Sequence, residues 1–106
     1  MSSLPASVDQ SGVVVITGGA SGFGLNVAER FVRAGVRVAI LDVSADELAS
    51  GVTKLTALAP GGASFVLGVQ CNVTSSEECV RAAASVAAHF PGTSISFLFV
   101  RFALLV

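Results

Sequence analysis

Tyrosine and tryptophan are absent from this chain of 106 residues, and charge is scarce: Asp, Glu, Lys and Arg make up 12% of it, against about 25% in an average soluble domain. Without a phenol, proton transfer by tyrosine is unavailable in any fold. A net charge of -1 supplies no attraction to nucleic acid or to an anionic membrane surface. Cys71, Cys79 and His89 are the only residues of their types, and they offer no metal-ligand spacing. Cys71 reads as a buried, reduced thiol. The first twelve residues lack arginine, a basic start and an apolar core; they do not form a secretory signal and make a poor mitochondrial presequence. Cytoplasmic residence is the expectation, with the mitochondrion left open. Ile95 to Val106 is apolar apart from Ser96 and Arg101, but its twelve residues are too few to span a bilayer.

What is present is a single domain's worth of chain, expected to bury roughly 65% of its unfolded surface. Hydrophobic residues form 53% of it, which suggests apolar faces that something else covers. The stretch from Gly12 to Gly24 organises the rest. Val13 to Ile16 is β-branched throughout and reads as a strand buried on both faces. It runs into a turn with four glycines between positions 18 and 24, and helical spacing begins at Leu25. Glycine gives such a turn unusual backbone angles and lets a ligand lie on the main chain. The helix that follows brings N–H groups without internal partners and the positive end of its dipole, a seat for phosphate. The alternative is a purely structural turn, which four glycines exceed in number.

Thr17-Gly18-x-x-x-Gly22-x-Gly24 resembles the cofactor fingerprint of the short-chain dehydrogenase/reductase family and differs from the G-x-G-x-x-G of other dinucleotide folds. The wider string, Ile16 to Leu25 with Ala28-Glu29-Arg30 and Gly35, is similar to the subgroup containing type 2 3-hydroxyacyl-CoA dehydrogenase. The resemblance implies a partial Rossmann-like doubly wound parallel sheet, about four strands in order 3-2-1-4 with three helices, over 12–100. It makes Thr17, Gly18, Ser21, Gly22, Phe23 and Gly24 cofactor-binding residues. Residues 1–11 are expected to form a flexible arm and 101–106 a divergent apolar end.

In chain order, strands are expected over 13–17, 36–42, 64–70 and 95–100. Helices are expected over 23–34, from Ser44 to before Pro60, and over 76–89. Leu25, Ala28, Phe31 and Val32 form the buried stripe of the first, which Gly35 ends. Ser44 with Glu47 makes a capping box for the second, and Thr74 with Glu77 one for the third, whose apolar stripe reads Val80, Ala83, Ala84, Ala87 and Phe90. His89 stands in its last turn, where a cation suits the dipole better than catalysis suits an isolated histidine.

Asp42 follows Gly24 by eighteen positions, close to the roughly 20-residue spacing at which a carboxylate meets the adenosine ribose. It accepts from both ribose hydroxyls and repels a 2′-phosphate, so NAD is favoured over NADP. The alternative is an aspartate that only opens the next turn. Arg37 lies at the other end of that strand, about 17 Å away, and does not argue for NADP. Asn72 occupies the place of the family's Asp-Val aspartate. It keeps one acceptor for adenine, or else is a helix-entry residue. Val43 and Val73, next to Asp42 and Asn72, complete the implied cofactor contacts.

Hydride transfer in the family uses a Tyr-x-x-x-Lys pair. This chain has no tyrosine and one lysine, Lys54, so no residue here is assigned to catalysis. Where the family carries Asn-Asn-Ala-Gly after the fourth strand, this chain has Arg101, Phe102, Ala103 and Leu104. The functional expectation is the NAD-binding part of an oxidoreductase acting on a secondary alcohol or ketone, inactive alone. The alternatives are an interaction module whose exposed fourth strand pairs with a second copy or a full-length relative, and a non-functional product.

Overall fold

The computed structural model describes residues 11–99; the expectations for the arm over 1–10 and for Val100 onward lie outside the described residues. Eight elements follow one another: β1 (Val13–Thr17), α1 (Gly22–Arg33), β2 (Arg37–Asp42), α2 (Ala45–Leu58), a 3-10 turn (Gly62–Phe65), β3 (Val66–Gln70), α3 (Ser76–His89) and β4 (Ile95–Phe99). The strands form one parallel sheet in the order β3-β2-β1-β4, as expected. Thr17 lies opposite Leu41 on one side and Phe99 on the other, and Asp42 lies opposite Gln70. The carboxyl ends of all four strands therefore make one rim.

The two-residue period of the strands divides the core. Val14, Ile16, Val38 and Ile40 turn to the face covered by α1 and α2, where they meet Ala28, Val32, Leu48 and Leu55. Val13, Val15, Ala39 and Leu41 turn to α3 and meet Ala82, Val86 and Phe90. A strand buried on both faces has no room for a polar residue until its end, which is why β1 is apolar as far as Thr17. Successive right-handed crossovers explain the two faces: the chain moves one way for β2 and β3 and crosses back for β4.

Local chemistry sets the helix ends. At the end of α1, Gly35 N–H donates to Val32 O and Val36 N–H to Phe31 O, each at 3.1 Å, the paired bonds of a Schellman motif. Ser44 Oγ accepts Glu47 N–H at 3.2 Å and starts α2. β3 begins at Val66 and not at Ser64, because the 3-10 turn takes Gly62 to Phe65.

Two expectations for α3 need correction. Its N-cap is Ser75, whose Oγ accepts Glu78 N–H at 3.3 Å; Thr74 is held instead by Asn72, which receives its N–H and its hydroxyl. The buried stripe is Ala82, Val86 and Phe90 with Cys79 beside it, while Val80 is 71% exposed and Ala83, Ala84 and Ala87 face solvent. A helix this rich in alanine carries two apolar stripes at helical spacing. Sequence period cannot choose between them; the approach fixed by the preceding loop can.

The choice is measurable. Val86→Ala should cost about 1–3 kcal/mol by leaving a gap under the sheet, whereas Val80→Ala should stay within about 0.5 kcal/mol. Urea midpoints of the two variants, if reversed in order, would restore the stripe read from periodicity.

Candidate functional site

The turn between β1 and α1 is held from the neighbouring strand. Gly18 and Gly19 N–H both donate to Leu41 O, at 2.8 and 3.3 Å. Ala20 N–H donates to Asp42 Oδ2 at 3.3 Å, and Asp42 Oδ1 accepts Ser44 N–H at 3.3 Å. The half-buried carboxylate thus ties the glycine turn to the corner between β2 and α2. The turn and Asp42, eighteen positions past Gly24, stand side by side.

The glycines have reasons within the fold. Gly18 and Gly22 sit at φ +65° and +57°, the left-handed region that side chains resist. A Cβ on Gly24 would overlap the Gly18 carbonyl oxygen, and one on Gly19 would come within 2.7 Å of Ile40 Cγ2. Their number, taken in sequence as more than a turn needs, is what this turn needs, so the count alone says nothing about a ligand.

The helix end says more. α2 and α3 start with a serine accepting a backbone N–H and with two acidic residues each, Asp46 and Glu47 in one and Glu77 and Glu78 in the other. α1 starts with neither: Ser21 is extended, makes no side-chain capping bond, and no acidic residue lies in the first turn. An N-terminus left so carries unneutralised N–H dipoles and favours an anion.

Around this end the rim is apolar. Phe23, Val43 and Val73 are 64%, 61% and 46% exposed and are three of the five large hydrophobic side chains so exposed among the described residues. They follow β1, β2 and β3 in turn, and so come after the carboxyl ends of those strands. Gln70 Nε2 donates to Val43 O at 3.0 Å and holds that backbone in place. Sequence reading missed this contact, though a polar residue closing an apolar strand was a signal.

Asn72 makes the contacts of a helix-entry residue, one of its two expected roles. Its Oδ1 accepts both the N–H of Thr74, at 3.0 Å, and its hydroxyl, at 2.7 Å, and its own N–H donates to Glu78 Oε1 at 2.9 Å. Its side-chain oxygen is engaged in a local turn, as short polar side chains tend to be, and its amide NH₂ makes no hydrogen bond among those described. Beneath this loop lies a cavity of about 300 Å³ between β1 and α3, bordered by Val15, Thr17, Leu41, Val73 and Cys79. At the far end of β2, Arg37 lies over the Phe65 ring, 4.8 Å from its centroid, and donates to Ser11 O at 3.4 Å, away from the rim. Lys54 borders the outer surface of α2. His89 packs edge-on against Phe90 with centroids 4.6 Å apart.

A parallel sheet in this order, with helices on both faces and a glycine turn at its carboxyl rim, defines a partial Rossmann-like α/β fold. A family model described as short chain dehydrogenase matches residues 12–100. The chain is 42% identical over 77 residues to cis-2,3-dihydrobiphenyl-2,3-diol dehydrogenase of Paraburkholderia xenovorans, covering 73% of this chain and 25% of that protein. A short chain dehydrogenase of Bacillus anthracis superposes with a TM-score of 0.75 at 25% identity, over 87% of this chain and 35% of that one. A form of actinorhodin polyketide ketoreductase solved with NADPH gives 0.74 at 26% identity, over 85% and 33%. The chain belongs to the short-chain dehydrogenase family. It spans about a quarter of the length of the curated relatives it matches.

Two outcomes test the site's construction. Ser21→Ala should leave the urea midpoint unchanged, since Ser21 caps nothing through its side chain, whereas Ser44→Ala should cost about 1 kcal/mol; equal losses would mean that α1 is capped like the others. Burial first, then the neighbouring Cys79 and Glu78, pushes the Cys71 thiol above its ordinary 9.0. The folded chain keeps that proton longer than the unfolded one, so the stability it contributes is complete below the ordinary value and falls as pH rises through the raised one. Denaturation between pH 8 and 11 should show this alkaline loss, and Cys71→Ala should flatten it.

Proposed function

We propose that this chain is the adenosine-binding part of an NAD-dependent oxidoreductase fold that acts on a secondary alcohol or ketone. The observation that carries the reading is the Asp42 carboxylate beside the glycine turn, at 3.3 Å from Ala20 N–H. When bound, the cofactor would supply the hydride acceptor or donor. The chain's own residues would hold it: the first N–H groups of α1, from Gly22 to Gly24, face the pyrophosphate, and Thr17, Gly18 and Ser21 shape the cradle. Asp42 accepts the ribose hydroxyls, and Phe23, Val43 and Val73 exclude water around the adenine. The Asn72 amide donates to a ring nitrogen in place of the acceptor expected from sequence.

NAD is favoured over NADP because a second negative charge next to Asp42 would be repelled. Lacking a tyrosine, the chain binds without turning over. The 3-hydroxyacyl-CoA subgroup is the narrower reading, and it rests on the string from Ile16 to Leu25 and on Ala28-Glu29-Arg30. No described helix is long and apolar enough to cross a membrane. A second reading, an interaction module, is favoured by β4: it ends the sheet with β1 as its one described partner, which leaves a row of backbone groups for another chain.

Titration with NAD and NADP separates these. Asp42→Asn keeps the side chain's shape and removes its charge. It should weaken NAD by about 1.5–3 kcal/mol, the worth of hydrogen bonds to a charged group, and narrow the preference over NADP. Wild-type affinity for NAD in this variant would remove Asp42 from the site, and no affinity in the wild type would leave the interaction module standing.

A further inference from the structure

Beyond its own turn, Asn72 presents only donors. The Thr74 N–H reaches its side chain at 3.0 Å and the Thr74 hydroxyl at 2.7 Å. A backbone N–H can only donate, so the atom that receives it is the amide oxygen, Oδ1, whose two lone pairs serve these two bonds. The other half of the amide, Nδ2, makes no hydrogen bond among those described, and the residue is exposed. Two N–H groups and no acceptor are left for a ligand.

The residue is also held in place. Its backbone N–H donates to Glu78 Oε1 at 2.9 Å, and its carbonyl accepts Ser75 N–H at 2.9 Å. Before it, Cys71 N–H donates to Asp42 O at 2.9 Å, which ties this loop to the end of β2. After it, Val73 is exposed and borders the same cavity as Thr17 and Leu41. The loop therefore stands beside the exits of β1 and β2.

We propose that Asn72 sets the base selectivity of this site: with donors alone to offer, it takes a 6-oxo purine, the hypoxanthine form of the dinucleotide, as readily as the 6-amino purine of NAD. The pocket itself rests on the function proposed above, in which the base hangs from the ribose held at Asp42. Adenine presents a 6-amino donor beside ring-nitrogen acceptors, whereas a 6-oxo purine presents a carbonyl acceptor in place of the amino group. An amide N–H meets a ring nitrogen of the first or the carbonyl of the second, one hydrogen bond in either case. Selection for the 6-amino group needs an acceptor facing it, and the acceptor of Asn72 is engaged by Thr74. Asn72→Asp reverses the balance. One carboxylate oxygen keeps both Thr74 bonds, and the other takes the place of Nδ2, where it accepts from a 6-amino group and repels a 6-oxo group.

Calorimetric titration of the chain with NAD and with nicotinamide hypoxanthine dinucleotide tests this. In the wild type, the preference for NAD should not exceed about fivefold, the worth of one ordinary hydrogen bond. A larger preference would overturn the proposal without recourse to any variant, and would leave the nucleotide reading intact. In Asn72→Asp the preference for NAD should rise beyond about fivefold. The two ligands carry the same charge, so general repulsion by the new carboxylate cancels in their ratio. A variant with the wild-type urea midpoint whose ratio stayed within fivefold would overturn the role of Asn72. Binding of neither dinucleotide by the wild type would refute the nucleotide reading, and the base selectivity with it.

Discussion

Everything at the carboxyl rim depends on β2 giving its last carbonyl and its last side chain to the turn that leaves β1. Leu41 O takes the N–H of Gly18 and of Gly19, and the Asp42 carboxylate takes that of Ala20. Three consecutive donors of a turn that belongs to neither strand are satisfied by one neighbour. The same carboxylate holds Ser44 N–H, so the exits of β1 and β2 cannot move independently. An open rim of a parallel sheet is where irregular backbone meets solvent, and here its geometry is set by parallel pairing behind it.

The same arrangement bears on what short-chain dehydrogenase membership means for a chain that spans about a quarter of its relatives' length. The first half of a doubly wound sheet contains its own two-sided core: α1 and α2 cover one face through Val32 and Leu55, and α3 covers the other through Val86 and Phe90. That core lies beneath the glycine turn, the carboxylate and the rim. α3 carries a second apolar stripe, Val80 with Ala83, Ala84 and Ala87, turned outward.

Much of this was legible in the residues. The runs Val13–Thr17 and Arg37–Asp42, the cap at Ser44, the end of α1 at Gly35 and the strand order all follow from short-range rules, because strand period, cap chemistry and crossover handedness act within a few residues or one unit; the second half of the box expected at Ser44 is missing because Asp42 takes the Ser44 N–H. The spacing of Gly24 and Asp42 located both halves of the rim. Other features were not legible. Ser75 displaced Thr74 as a cap because Asn72 had already claimed Thr74. Asn72 itself gave its side-chain oxygen to Thr74, because a short polar side chain reaches a backbone N–H two residues on. The glycines looked too many for a turn until Gly24 was seen against the Gly18 carbonyl.

Sequence by itself determined which segments are strands and helices, that the first two strands are apolar on both faces, and that a glycine turn and an acidic residue close successive strands; these are matters of period and local backbone preference. Only the tertiary structure decided which stripe of α3 is buried and that Asp42 reaches Ala20. Such contacts join residues of different elements, and their existence depends on the angle at which helix and sheet pack, which no local pattern specifies.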